Sequence, residues 1–216
     1  MTAGRTTSAG TRPLLCLDHL VLRARSLDEG VAHVRQALGV EMPPGGSHPR
    51  MGTHNRLLRL GDLAFLEVIA VDPGLPAPPR PRWYGMDVFD AAPSLSHWVL
   101  MTDDLDASLQ ALPLAGKPVE AVRGDLTWRI SVPDDGSMGL DGAHPTLIEW
   151  PPGVHPSAGI ESHGCALQTL TVTHPRGDDL TEMLSGMFDD PRVRIRSGAE
   201  FRITAGIRTP SGLRTL

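Results

Sequence analysis

The chain has 216 residues, a formal charge of −5 and a pI near 6.0, and it lacks the basic patch that nucleic acid would select. No apolar run approaches the roughly 20 residues of a membrane span, while 40% hydrophobic residues suffice for a sizeable core. Two cysteines, Cys16 and Cys165, are too few for a disulfide framework and suit a reducing compartment, so a cytoplasmic protein is expected.

Residues 1–13 are rich in Thr, Ser, Gly, Ala and Arg, lack the apolar centre of a signal peptide, and read as a disordered tail. Residues 14–23 alternate as a strand, with Leu15, Leu17, His19 and Val21 on one face and Cys16, Asp18, Leu20 and Leu22 on the other. Ser26-Leu-Asp-Glu29 is a capping box that opens a helix striped by Leu27, Val31, Val34 and Leu38 and closed by Gly39. Residues 40–51, with Pro43-Pro44-Gly45-Gly46 and His48, read as loop. Two strands joined at Gly61-Asp62 follow, and then an extended connector holding Pro73, Pro76, Pro78, Pro79 and Pro81, with Trp83-Tyr84 at its end.

The order then repeats. A strand over residues 95–102, a helix over 103–112, and strands over 117–122, 126–132 and 145–150 predict a second unit. A strand over 167–173, a helix over 179–187 and strands over 193–196 and 200–207 predict a third, partial one. The runs Leu17-Asp-His-Leu-Val-Leu22, Leu95-Ser-His-Trp-Val-Leu100 and Leu167-Gln-Thr-Leu-Thr-Val172 superpose without a gap. The predicted fold class is α+β: βαβββ modules over 14–73 and 95–152, a connector over 74–94, and a degraded third βαββ copy over 165–216.

The oddest residue is Glu67, a carboxylate inside Phe65-Leu-Glu-Val-Ile69. A charge in a core strand is expected to be paired or metal-bound. The second unit offers a similar Leu147-Ile-Glu-Trp150. Each of these two units therefore places a histidine on its first strand (His19, His97) and a glutamate on its last (Glu67, Glu149). In the third copy Thr169 stands at the histidine position.

These repeats, with Gly-Thr-His-Asn-Arg-Leu-Leu-Arg-Leu-Gly-Asp followed by Phe-Leu-Glu-Val-Ile-Ala, resemble the vicinal oxygen chelate superfamily and, within it, the glyoxalase-like domain branch. The resemblance implies cupped sheets facing each other and a divalent ion (Zn, Ni, Fe or Mn) held by His19, Glu67, His97 and Glu149. It implies a metal-dependent lyase or isomerase acting on a small carbonyl compound. The metal would act as Lewis acid, and Glu67 or Glu149 as the catalytic base. His54, Asn55 and Arg56 are candidate substrate contacts; strand parity puts His54 and Arg56 on one face and Asn55 on the other.

Two alternatives stay open: a ligand-sequestering protein without turnover, and an extradiol-type Fe(II) dioxygenase. Trp83-Tyr84 is expected to seal the junction between modules, His48 to be a surface loop residue, and Arg123, Trp128 and Arg129 either to line the second cup around an anion or to lie solvated at a sheet edge. The third copy has no module left to pair with in the chain and is expected either to extend a sheet or to meet its twin in a homodimer.

Overall fold

The computed structural model describes residues 13–216; apart from Pro13, the tail expected over residues 1–13 lies outside them. The first unit is β1 (Leu15–Arg23), α1 (Leu27–Leu38), β2 (Gly46–His48), β3 (Thr53–Arg59) and β4 (Phe65–Val71). Ser26 accepts from the Glu29 amide at 3.3 Å and Gly39 ends α1 with φ 70°, so both helix signals act as expected. The second unit is β5 (Ser94–Thr102), α2 (Leu105–Ala111), β6 (Lys117–Arg123), β7 (Leu126–Val132) and β8 (Thr146–Glu149).

All eight strands form one sheet in the order β2-β3-β4-β1-β5-β8-β7-β6. Each unit pairs its first strand in parallel with its last, and the antiparallel β1–β5 pairing joins the two units. The sheet curls until its edges meet: Arg50 bridges to Glu120 at 3.0 Å, and the side chain of Arg123 lies against Gly46. The curl buries the inner face, and the outer face of the central strands β1, β4, β5 and β8 is covered as well, which is why those strands read as near-continuous apolar runs rather than strict alternations. Val21, Ile69, Val99, Trp128, Ile130 and Ile148 point into the cup. Leu20, Leu22, Leu66, Val68, Trp98, Leu100 and Leu147 point outward, against α1 and the third unit.

Two bulges break the period of two. Leu17 pairs with Leu100 and His19 with Val99, leaving Asp18 as the extra residue of β1; likewise Ser96 is extra on β5. A bulge of this kind reverses parity along the strand. Leu15 and Leu17 consequently share the outward core with Leu20 and Leu22, not a face with His19 as strict alternation predicts.

The third unit is β9 (Ala166–His174), α3 (Gly177–Leu184), β10 (Val193–Ser197), β11 (Arg202–Thr209) and β12 (Gly212–Thr215), in the sheet order β10-β9-β11-β12. It has a module's element order but not its pairing, because β9 lies between β10 and β11 instead of beside the last strand. It packs on the outward face of the large sheet, where Phe188 meets Trp98 with ring centres 5.6 Å apart. Two elements, β2 and β12, were not expected from sequence. Both are short and Gly-containing, and neither carries a hydrophobic period. Among the described residues no helix is long and apolar enough to cross a membrane.

Candidate functional site

The cup gathers its polar groups at one end, around His19. The ring stacks on Phe65, 4.6 Å centre to centre. The bulge turns Asp18 inward, and His19 Nδ1 donates to Asp18 Oδ1 at 2.5 Å. Asp18 Oδ2 accepts from Trp150 Nε1 at 2.7 Å and faces His155 Nε2 at 3.0 Å. On its other side, His19 Nε2 faces Glu67 Oε2 at 3.6 Å, an ion-pair contact too long for a hydrogen bond. Glu67 Oε1 accepts from Asn55 Nδ2 at 2.7 Å.

Asn55 is the hub of the next layer. Its Nδ2 also donates to His48 Nε2 at 3.2 Å, and its Oδ1 accepts from the Gly46 amide at 3.2 Å. With Nε2 accepting, His48 carries its proton on Nδ1, facing Thr53 Oγ1 at 3.0 Å. Trp83 Nε1 donates to the same hydroxyl at 3.2 Å. A buried polar network of this kind is stable only when its members are partnered, and each of these side chains is.

The electrostatics follow from the pairing. Burial opposes the charge on His19, but the hydrogen bond to Asp18 and the Glu67 carboxylate beside it outweigh burial and raise its pKa to about 9. Burial likewise opposes ionisation of Glu67, and His19 beside it lowers its pKa to about 2. Burial works against ionised Asp18 too, yet the bonds from His155 and His19 hold it below the usual carboxylate range. His48 is the contrast. Burial, without an adjacent carboxylate bond, lowers its pKa to about 4 and keeps it neutral. Near pH 7 the site is therefore a buried Asp⁻–His⁺–Glu⁻ chain.

The remaining wall is aromatic and apolar: Trp83, Tyr84, Trp128, Trp150, Ile130 and Ile148, with Arg123 at the rim. The free space among them is about 20 Å³, room for one water. Trp83 and Tyr84 fill the cup itself. Tyr84 adopts φ 57°, and its carbonyl accepts from Arg23 Nη1 at 2.8 Å.

The sequence-predicted residues divide sharply. His19, Glu67 and Asn55 converge in the cup. His54 and Arg56 point the other way, His54 toward Asp72 at 3.9 Å and Arg56 to the Met42 carbonyl at 3.3 Å, because β3 turns Asn55 inward. They are not cup contacts in this structure. His97 faces the cup but both its ring nitrogens are engaged: Nδ1 donates to the Gly142 carbonyl at 2.9 Å, and Nε2 accepts from the Thr146 amide at 3.2 Å. Burial lowers its pKa to about 3. Glu149 lies on the outer face, accepting from the Leu105 amide at the start of α2 at 2.7 Å and bridging to Arg129 at 3.3 Å.

The register explains the miss. Val21 pairs with Glu67, whereas its counterpart Val99 pairs with Thr146. Thr146 thus holds the place of Glu67 in the second unit, and Glu149 is three residues further on, with the opposite parity.

Relatives in the vicinal oxygen chelate superfamily commonly use divalent metals. The four-ligand set implied by the resemblance does not fit here, since His97 and Glu149 are committed elsewhere. His48 reaches the cup, but Asn55 stands between it and Glu67. Among the described residues no three His, Cys, Asp or Glu side chains are arranged to hold an ion.

Asp18, Trp150 and His155 are site residues the sequence did not single out; His48, expected on a surface loop, lines the cup, as do Arg123 and Trp128, for which the sequence leaves a cup wall and a solvated edge both open. Asp18 was concealed by its bulge, and His48 by the shortness of β2. Trp150, the expected end of the strand over 145–150, lies just past β8, and His155 lies in the segment beyond it.

A hypothetical protein from Staphylococcus aureus superposes on 88% of this chain and 88% of its own, at 14% identity and a TM-score of 0.56, which establishes a shared fold. Streptomyces coelicolor methylmalonyl-CoA epimerase in complex with 2-nitronate-propionyl-CoA matches at 18% identity and TM-score 0.43, over 62% of this chain and 96% of its own. Methylmalonyl-CoA epimerase from Mycobacterium tuberculosis matches at 19% identity and TM-score 0.43, over 68% and 95%. Comparison with curated proteins found no match. The sequence model of the glyoxalase-like domain family matches residues 17–188, and with the paired βαβββ units this places the chain in that family, within the vicinal oxygen chelate superfamily.

Proposed function

We propose that the cup is the active site of a glyoxalase-like isomerase or lyase that moves a proton at the carbon next to a carbonyl. The observation that carries this is the buried His19–Glu67 pair, charged and 3.6 Å apart, with Asp18 fixing the imidazole from behind.

In this mechanism His19 Nε2–H donates to the substrate carbonyl oxygen and stabilises the enolate charge that develops there. Asp18 holds the proton on Nδ1 and the ring in plane. Glu67 takes the proton from the neighbouring carbon. In the closed cup Glu67 is a weak base, because His19 lowers its pKa to about 2. A carbonyl inserted between the two separates them, and burial then raises the carboxylate toward a working basicity. The 20 Å³ of free space requires Trp83 and Tyr84 to move before substrate enters.

Proton exchange tests this directly. Incubated in D₂O with a panel of small 2-oxo and 3-oxo compounds, the wild type should catalyse deuterium incorporation next to the carbonyl, seen by proton NMR. Glu67→Gln and His19→Gln should each lower the rate at least a hundredfold. Exchange that survives either substitution would exclude the pair.

The second reading is ligand sequestration, favoured by the aromatic lining and by the engagement of His97 with Thr146. Tight quenching of the cup tryptophans by a ligand that emerges chemically unchanged would select it.

A further inference from the structure

We propose that Arg123 binds the carboxylate of the substrate, and that the ligand class is a small 2-oxo acid entering along the groove beside it. This rests on the carbonyl reading of the cup and names the other end of the molecule.

Arg123 ends β6 at the rim. Besides the cup, a groove of about 640 Å³ opens outside it, walled by Pro43, Pro44, Leu57 and Ile160. Arg123 and Pro156 line both spaces and mark the passage between them. The guanidinium is largely withdrawn from water; burial lowers its pKa while the charge of Glu67 raises it. Among the described residues it makes no hydrogen bond and no ion pair. A half-buried, unpaired guanidinium is costly unless an anion completes it, and its planar fork suits a carboxylate bidentately. The groove's own carboxylate, Glu161, is exposed.

Its placement is specific. The Arg123 stem rests on Gly46, where a Cβ would fall 2.6 Å from Cδ. The Gly46 amide bonds Asn55, and Asn55 bonds Glu67. The cation is thus tied to the reacting pair through one glycine and one asparagine. Asp18, His19 and Glu67 sum to one negative charge; Arg123 balances it, so an incoming carboxylate meets a neutral site with a cation at its door.

The test titrates the full chain with 2-oxobutyrate, its methyl ester and inorganic phosphate, following the fluorescence of the cup tryptophans. The wild type should bind 2-oxobutyrate. Arg123→Gln should weaken that binding tenfold or more, and Gly46→Ala, which displaces the stem but keeps the charge, should also weaken it. The ester should bind poorly to both wild type and Arg123→Gln, and melting curves should show each variant folded. Equal binding by Arg123→Gln, an ester that binds like the acid, or a wild type that ignores 2-oxobutyrate would each overturn the proposal. Phosphate bound as tightly, with the same dependence on Arg123, would replace the 2-oxo acid with a general oxyanion and overturn the assignment. Arg123-dependent binding without deuterium exchange would defeat the proposed reaction and leave this site standing. Exchange on a neutral ketone, indifferent to Arg123, would do the reverse.

Discussion

Thr146 stands in the second unit where Glu67 stands in the first. Each pairs with the matched valine of its neighbouring strand, Val99 and Val21, and each touches the histidine of its own unit. The difference is one carboxylate. His19 with Glu67 and Asp18 is charged; His97 with Thr146 and Ser96 in the corresponding places is neutral, its pKa lowered by burial to about 3. One half of the cup therefore holds a charged histidine–carboxylate chain and the other a neutral histidine bonded within its own unit.

The pH dependence of stability should show this division. His19 has a folded pKa near 9, raised from 6.5, so its stabilisation is fully present below pH 6.5 and is lost as pH rises through 9. His48 and His97 are depressed to about 4 and about 3, so their contribution is present above pH 6.5 and is lost as pH falls through those values. Glu67, depressed to about 2 from 4.5, adds a loss below pH 4.5. Denaturant melts should peak near pH 6.5 and fall on both sides. His19→Gln should abolish the alkaline limb and keep the acid one.

Removing one member of the buried chain should be severe. His19→Ala leaves two carboxylates buried without their cation, and a broken buried pair costs about 3–5 kcal/mol. Asp18→Asn should be milder in stability but should lower the His19 pKa, measured by titrating its imidazole resonance. An unchanged His19 titration would contradict the placement of Asp18.

Glu149→Gln separates the two glutamates. It weakens a bond to the first amide of α2 and a part-exposed bridge to Arg129, worth about 1 kcal/mol together. Ligand binding and any proton exchange should be those of wild type. A loss of function comparable to Glu67→Gln would mean that Glu149 reaches the cup after all.

Gly30→Ala sets helix propensity against packing. In an open helix the change gains up to about 1 kcal/mol. Here a Cβ would fall 2.4 Å from Val68 Cγ1 and 2.9 Å from Ala24 Cβ. Overpacking of this kind costs about 1–3 kcal/mol, so the variant should melt lower than wild type by differential scanning calorimetry.

The α+β class and the repeat were legible because capping signals, apolar stripes and proline runs are local. Glu67 was legible because a carboxylate in Phe65-Leu-Glu-Val-Ile69 has no cheap place in a core, and His19 followed from the repeat. What tertiary structure alone decided was parity and register. A single extra residue, Asp18, turns a side chain assigned to the apolar face into the group that charges His19. A three-residue offset puts Thr146, not Glu149, beside His97. β3 turns Asn55 inward and sends His54 and Arg56 out. Glu67 itself found its counter-ion in His19 because β4 lies parallel to β1. A strand's period of two makes every such choice hang on one residue of register, and long-range pairing sets that register.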